Sequence, residues 1–287
     1  MICHLCPRRC GVDRAVQPGF CGMGEGVRVA RAALHHWEEP VISGIRGSGA
    51  VFFSGCTLRC VYCQNHDISA AGFGKDVSTA RLREIFEELI AQGAHNINLV
   101  TPTHFLPWIL PALTPKLPVP VVYNCGGYER LETVRSLKDT VDVWLPDLKY
   151  ADPALAKKLS AAEEYFPVAA AAIEEMVAQS GPPVMENGLL RRGVIIRHLV
   201  LPGQLDNTRG VIDYVARRFP RGEVLFSLMA QYTPQPGLTG PLSRHVTAAE
   251  YRAAVAYMEN CGIRNGFTQE RTSAREEYTP PFDLTGV

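Results

Sequence analysis

From residue 49 onward, short apolar runs alternate with longer segments in which apolar residues recur every three or four positions. Short apolar runs bounded by Gly, Pro or Asn are typical of buried strands, and the longer period is typical of amphipathic helices. The pattern predicts strands at 49–54, 97–100, 119–124, 141–148, 193–201 and 223–229. It predicts a helix that begins at residue 79 and further helices over 104–113, 129–137, 163–179, 207–219 and 248–260.

Six strand–helix units in series favour a parallel sheet, because each crossover helix returns the chain to the end of the sheet where the next strand begins. Six units rather than eight predict an α/β fold of the partial (β/α)6 TIM-like barrel type, with its chemistry at the carboxyl ends of the strands. We expect three parts: a small Cys-rich N-terminal metal-binding extension (1–48), the barrel (49–270) and an extended C-terminal tail (271–287).

The composition of the chain argues against several classes of function. Hydrophobic residues make up 46% of the chain, and the 29 basic residues equal the 29 acidic ones. A neutral chain lacks the positive excess that binding to nucleic acid or to a membrane surface requires. No apolar run is long enough to span a membrane, and the first residues lack the order of a signal peptide. We therefore expect a cytoplasmic protein, in which the nine cysteines do not form disulfides.

Three cysteines, Cys56, Cys60 and Cys63, fall within eight residues just past the end of the first predicted strand. Three thiolates can bind three irons of a cubane cluster and leave the fourth iron open for a substrate or cofactor. A closed electron-transfer cluster or a structural zinc would require four protein ligands. A zinc knuckle or a chance grouping of cysteines is the alternative interpretation.

The spacing Cys-x-x-x-Cys-x-aromatic-Cys, after the first strand of a six-unit α/β chain, resembles the radical S-adenosylmethionine (SAM) superfamily. The order of the later motifs, to about residue 235, is most similar to proteins related to pyruvate formate-lyase activating enzymes. The resemblance implies that the three cysteines hold a catalytic [4Fe-4S] cluster and that an electron from it cleaves SAM to a 5′-deoxyadenosyl radical. It further implies a protein or peptide substrate, such as a glycyl radical enzyme, and a flavodoxin- or ferredoxin-type electron donor.

Two alternatives to this function stay open. One is radical SAM modification of a small molecule or of another peptide. The other is a non-catalytic iron–sulfur or zinc binding protein, which would have no need of residues that bind SAM.

The resemblance also implies contacts to SAM at successive strand ends. Tyr62 is expected beside the adenine. Thr101 and Thr103 stand where many radical SAM proteins carry Gly-Gly-Glu-Pro to receive the SAM ammonium, so the ammonium contact differs in this chain. Asn124, which ends the third strand, takes the place of an acidic residue that helps to bind a monovalent cation in the activating enzymes. Gln231 is expected to contact the ribose or the adenine.

The fourth and fifth strands carry the charged residues of the expected SAM site. Asp147 and Lys149 form the Asp-x-Lys pair of the activating enzymes, in which the lysine approaches the SAM carboxylate and the aspartate helps to hold the cation. An arginine inside an apolar strand needs an anionic partner, and Arg197 is therefore expected to contact SAM. Val200 is expected to pack near the adenine. His198, which points to the opposite face from Arg197, is predicted to be structural.

The N-terminal extension carries a second group of cysteines, Cys3, Cys6, Cys10 and Cys21. Four thiolates around one metal make a closed structural site, for which zinc is the simplest occupant and a second iron–sulfur cluster is a competitor. Unligated cysteines are the third possibility.

Overall fold

The computed structural model describes residues 2–220, 222–269 and 280–287. Its strands are β1 (Val27–His35), β2 (Ser48–Phe53), β3 (Lys75–Val77), β4 (Ile97–Val100), β5 (Val121–Cys125), β6 (Val143–Pro146), β7 (Val184–Glu186), β8 (Leu189–Leu199), β9 (Leu225–Met229) and β10 (Gly266–Thr268). Its helices are α1 (Pro40–Ser43), α2 (His66–Ser69), α3 (Thr79–Ala91), α4 (Leu106–Ala112), α5 (Leu131–Ser136), α6 (Pro153–Ser160), α7 (Tyr165–Ser180), α8 (Leu205–Arg218) and α9 (Ala248–Asn260). Short 3-10 helices span Thr103–Phe105 and Gly240–Ser243.

The strands form one sheet in the order β10-β9-β8-β6-β5-β4-β2-β1-β3, with β7 beside β8. The strands from β2 to β10 along this path are parallel, whereas β1 pairs antiparallel with both β2 and β3. The sheet does not close on itself. The six predicted strands correspond to β2, β4, β5, β6, β8 and β9, so the predicted open α/β barrel is confirmed.

Sequence-encoded caps fix where the helices begin. The side chain of Ser78 accepts a hydrogen bond from the backbone N–H of Arg81 at the start of α3. Thr247 and Glu250 form a reciprocal capping box at the start of α9. The helices then bury apolar faces against the sheet, as Leu82 of α3 does. Within the described ranges, no helix is long and apolar enough to cross a membrane.

Strand β1 lies in the segment predicted to be a Cys-rich extension, and the apolar pattern does not predict it. Its charged residues are intermediate in exposure and are paired across the sheet edge, Arg28 with Asp76 and Arg31 with Asp283. The last residues, 280–287, pack along this strand, where the backbone N–H of Ala32 donates to the Thr285 carbonyl. The rest of the predicted tail, 271–279, lies outside the described residues. The predicted three-part division of the chain stays a prediction.

Candidate active site

An open cavity of about 230 Å³ lies at the carboxyl ends of the parallel strands. Residues in the last positions of β2, β4, β5, β6, β8 and β9, or just after them, line it, because parallel strands end at one edge of the sheet. Ten of the residues predicted from the sequence meet there. They are Cys56, Cys60, Tyr62, Cys63, Thr101, Asn124, Asp147, Lys149, Arg197 and Gln231.

The three loop cysteines lie on one wall of this cavity. The backbone N–H of Leu58 points to the Cys56 sulfur at 3.4 Å, and the Ser160 hydroxyl donates to the Cys60 sulfur at 3.0 Å. Donors directed at sulfur stabilise thiolates and the clusters that thiolates hold. No three His, Cys, Asp and Glu side chains of the described residues converge as they would on a single metal ion. A cubane does not require such convergence, because each thiol binds its own iron. The loop therefore fits a three-thiolate cluster.

Aromatic residues back the cysteine loop. Tyr62 is 6% exposed and accepts a hydrogen bond from the Tyr150 hydroxyl at 2.9 Å. Its ring lies 6.2 Å from that of Tyr232, in a tilted arrangement. Tyr62 thus reaches the cavity from a fixed position, with its apolar ring available to a planar ligand group.

The opposite wall is a network of charged and amide groups around Arg197. Its guanidinium donates from Nε to Asp147 Oδ1 at 2.9 Å, from Nη1 to Glu38 Oε2 at 3.0 Å, and from Nη2 to Asn124 Oδ1 at 2.6 Å. Lys149 Nζ donates to the second oxygen of Asp147 at 2.5 Å. Burial opposes the ionisation of Asp147, but Arg197 and Lys149 together hold the pKa of its carboxyl below the usual range.

Lys149 links the two walls. Burial would lower its pKa, but the carboxylate of Asp147 raises it above the ordinary lysine value. The ammonium group therefore stays charged beside the cysteines, where it can receive an anionic ligand group.

Glu38 is a residue of the cavity that sequence reasoning missed. It follows β1, and its Oε1 accepts from the side-chain amides of Asn98 and Asn124, both at 3.2 Å. The adjacent Glu39 is buried, and its Oε2 has no hydrogen-bond partner. Burial raises the pKa of Glu39, although Arg197 opposes the shift. The Glu-Glu-Pro signal is visible in the sequence, but only the unpredicted strand β1 brings it to the strand ends.

Two predicted ligand contacts lie outside the cavity and are corrected. Thr101 has a φ of +61°, and after it the chain enters a 3-10 helix that turns Thr103 into the core. There the Thr103 hydroxyl donates to Glu129 Oε1 at 2.6 Å. Val200 is 1% exposed and packs in the core. The possible monovalent cation stays a prediction, and in the structure the guanidinium of Arg197 bonds to both Asp147 and Asn124.

His198 is structural, as predicted. Its two ring nitrogens contact the Leu148 carbonyl at 2.7 Å and the Thr208 hydroxyl at 3.0 Å. Cys125 lines the cavity, and the buried Glu129 lies near it. Burial raises the pKa of Glu129 to about 8, so this pair is neutral at pH 7.

The N-terminal cysteines lie outside the cavity, in a segment of turns that precedes β1. We call residues 2–26 the head. Its first strand-like pairing joins Ile2 to Asp13, and the backbone N–H of Cys3 donates to the Val12 carbonyl at 2.9 Å. Cys3, Cys6 and Cys21 are buried, and Cys10 is partly exposed.

The sequence of the chain is similar to those of known proteins. Residues 50–215, more than half of the chain, match the radical SAM superfamily. The chain is 33% identical over 245 residues to the uncharacterized protein MJ0674 of Methanocaldococcus jannaschii. That match covers 81% of this chain and 66% of the relative, so the chain spans about two thirds of the relative's length.

Solved structures show the same fold at low identity. SuiB of Streptococcus suis bound to S-adenosylmethionine has a TM-score of 0.52 at 14% identity, over 75% of this chain and 48% of SuiB. SuiB bound to its precursor peptide SuiA has a TM-score of 0.53 at 14% identity, over 75% of this chain and 46% of SuiB. The chain therefore spans about half the length of SuiB. A domain of pyruvate-formate lyase-activating enzyme from Bacteroides vulgatus has a TM-score of 0.37 at 13% identity, over 67% of this chain and 91% of that domain.

Proposed function

The chain belongs to the radical SAM superfamily, and on that premise we propose that it cleaves SAM reductively and abstracts hydrogen from a protein or peptide. In the proposal, Cys56, Cys60 and Cys63 hold a [4Fe-4S] cluster. When bound, the cluster supplies the electron that cleaves SAM to a 5′-deoxyadenosyl radical. The observation that carries the proposal is the cavity itself, in which three thiols face a network of charged groups.

Lys149 and Glu38 give this cavity the charges that the amino-acid part of SAM requires. Lys149 is the cation beside Cys60 and Asp147, and we assign it to the SAM carboxylate. The segment after β4 has no carboxylate, because Thr101 and Thr103 stand where many radical SAM proteins carry Gly-Gly-Glu-Pro. Glu38 supplies a carboxylate to the cavity instead, and we assign it to the SAM ammonium. Arg197 holds Glu38 and Asp147 in place and acts on SAM through them. Glu38 and Lys149 thus offer a carboxylate and a cation to a ligand that carries both an ammonium and a carboxylate.

Tyr62, Thr101, Asn124 and Gln231 complete the proposed SAM site. Gln231 is fixed by its neighbour Gln64, whose side-chain amide donates to the Gln231 carbonyl. Tyr62 offers a ring face to the adenine. Asp147 already has two cationic partners, so the proposal includes no monovalent cation.

The substrate class rests on the open mouth of the cavity and on the fold that the chain shares with SuiB, a protein solved with its precursor peptide. A glycyl radical enzyme is one protein of this class. We place the reaction in the cytoplasm, where thiols stay reduced and a flavodoxin- or ferredoxin-type protein can donate the electron. We also propose a metal group, either zinc or a second cluster, at the N-terminal cysteines.

The test is anaerobic reconstitution with iron and sulfide, reduction with dithionite, and chromatographic measurement of 5′-deoxyadenosine formed from SAM. We expect product from the wild-type protein and from Cys261→Ala, which removes a cysteine that lies outside the cavity. Cys60→Ala should reduce the product to background while circular dichroism shows a folded barrel. Cleavage retained by a folded Cys60→Ala protein would overturn the cluster assignment.

A further inference from the structure

The four cysteines of the head lie close to one another although no strand or helix carries them. The backbone N–H of Gly11, next to Cys10, donates to the Cys3 carbonyl at 3.0 Å, and the backbone N–H of Phe20, next to Cys21, is directed at the Cys10 sulfur. Tight turns set these positions: the backbone N–H of Arg9 donates to the Cys6 carbonyl at 3.0 Å. The proposed SAM site does not use these thiols.

Gly19 leaves a space between two of the thiols. A Cβ at this position would lie 3.4 Å from the Cys10 sulfur and 3.8 Å from the Cys21 sulfur. The next backbone N–H, that of Phe20, is directed at the Cys10 sulfur at 3.3 Å. A small residue between two sulfurs, followed by an N–H directed at one of them, is the environment that a sulfur-ligated metal group requires.

Arg14 is a buried cation without a carboxylate partner in the described part of the chain. It is 2% exposed, and its Nε and one terminal nitrogen have no hydrogen-bond partner. Its remaining terminal nitrogen donates to the His104 carbonyl, and its guanidinium lies 5.0 Å from the Trp108 ring. Arg14 is also close enough to Cys21 to interact with it electrostatically. An uncompensated buried charge is costly, so an anionic group beside Cys21 would satisfy it.

Several hydrogen bonds join the head to the cysteine loop of the barrel, and two of these connections lead to its thiol-bearing residues. The backbone N–H of Cys56 donates to the Cys21 carbonyl at 3.4 Å. Arg8, which lies between two head cysteines, donates to the Ser160 carbonyl at 2.7 Å, and the Ser160 hydroxyl donates to the Cys60 sulfur. Each connection begins at or beside a head cysteine and ends at a cysteine of the barrel, Cys56 in one case and Cys60 in the other. Electron tunnelling is efficient along such short paths of covalent and hydrogen bonds.

We propose that Cys3, Cys6, Cys10 and Cys21 hold a second iron–sulfur cluster, which passes electrons to the cluster at Cys56, Cys60 and Cys63. The inference rests on the proposed SAM chemistry of the barrel and adds the route by which its electron arrives. A one-electron donor of the ferredoxin or flavodoxin class reduces the head cluster. That cluster then loses one electron, the barrel cluster gains it, and no bond or proton changes in the transfer.

Iron–sulfur ligation accounts for the head better than zinc does. Four thiolates around one zinc must all lie about 2.3 Å from a single point, whereas each thiolate of a cubane has its own iron. The described head residues do not converge as a single ion requires. Zinc is also redox-inert, so the connection from Cys21 to Cys56 would then have no electronic role.

Metal content tests the occupant of the head without altering the head. After anaerobic reconstitution, the wild-type protein should contain about eight irons per chain and no stoichiometric zinc. The triple variant Cys56→Ala, Cys60→Ala, Cys63→Ala should retain about four irons and an EPR signal, after dithionite reduction, that SAM does not change. About one zinc per chain in protein purified from cells, with no iron in the triple variant, would overturn the proposal.

A head variant tests the relay. Cys10→Ser with Cys21→Ser should retain about four irons whose EPR signal still responds to SAM, with Cys261→Ser as the control. Reduction of the barrel cluster by a reduced ferredoxin- or flavodoxin-type protein, followed by stopped-flow absorbance, should slow at least tenfold in the head variant. An unchanged rate in a folded head variant would overturn the relay. If instead the signal fails to respond to SAM in every protein, the proposed function of the barrel fails while the head cluster is still counted by its iron.

Discussion

The barrel and the head each gather cysteines, but they position them by different means. Cys56, Cys60 and Cys63 follow the end of a buried strand, in a loop that the parallel sheet places beside five other strand ends. The head cysteines lie on turns and on one isolated pairing of Ile2 with Asp13. The barrel therefore holds its thiols through an apolar core, whereas the head has few apolar contacts with which to hold its own.

The barrel and the head also differ in whether a buried arginine has carboxylate partners. Arg197 of the barrel is fully compensated by Asp147 and Glu38. Arg14 of the head has no such partner among the described residues. The buried charge of the barrel is thus compensated within the protein, whereas we propose that the head is completed by a group that its cysteines bind. Four predictions test this difference.

Removal of metal should have the largest effect, and it should act on the head. Structural metal sites contribute on the order of 10 kcal/mol to the domains they hold. Chelation of the reconstituted protein should therefore expose Arg8 and Arg14, which are partly or fully buried, to trypsin, while the barrel keeps its circular dichroism. Mass spectrometry of the fragments measures this. If the head resisted trypsin equally well with and without metal, the proposed difference between the head and the barrel would be wrong.

Gly55→Ala should disrupt the contact between the two regions. Gly55 has a φ of +78°, and a Cβ there would lie 2.7 Å from the Cys21 carbonyl oxygen. Backbone strain and the clash together should lower the free energy of unfolding by about 4 kcal/mol.

The matched control for this variant is Gly237→Ala. Gly237 has a φ of +84° and open space around it, so this change should cost only about 1–2 kcal/mol. Chemical denaturation compares the two variants. Equal losses would show that Gly55 is needed only for its backbone angle and that the head does not press on the loop.

The pH dependence of stability should come from the barrel. Burial lowers the pKa of His198 from 6.5 to about 4, so the folded state resists protonation that the unfolded state accepts. This contribution is present above pH 6.5 and is lost as the pH falls through 4. The total is about 3 kcal/mol, since each pKa unit is worth about 1.4 kcal/mol. Denaturation between pH 7.5 and 4 should show that His198→Gln flattens this slope. An unchanged slope would contradict the assignment.

The smallest effect concerns SAM binding at the barrel. Lys149→Met removes the cation beside Cys60 and should weaken SAM binding about 10- to 100-fold, the value of a hydrogen bond to a charged group. Iron content should stay at the wild-type level. Lys157→Met, which removes a surface partner of Glu163, should leave SAM affinity unchanged. Equal affinities of the two variants for SAM in equilibrium dialysis would remove Lys149 from the site.

The sequence predicts the barrel well because its periodicity reflects local burial. Strand β4 and helix α9 have the predicted bounds, since a run of apolar residues and a capping box mark them directly. Strand β1 is not predicted because Arg28 and Arg31 interrupt its apolar pattern. Their partners, Asp76 and Asp283, are remote in sequence.

The candidate site was predictable where a residue directly follows a strand. Asp147 and Lys149 reach the cavity for that reason. Thr103 does not, because the backbone angle of Thr101 turns the chain and no local signal predicts that angle. Glu38 reaches the cavity through an unpredicted strand, and Arg14 shows its lack of a partner only in three dimensions.

The response of the cluster's EPR signal to SAM tests the central claim most directly. The claim is that three thiolates leave one iron open, so SAM should bind to the reduced cluster itself. In the head variant Cys10→Ser with Cys21→Ser, which isolates the barrel cluster, addition of SAM to dithionite-reduced protein should change the g-values of the signal. A fully reduced signal that stays identical at saturating SAM would contradict the account.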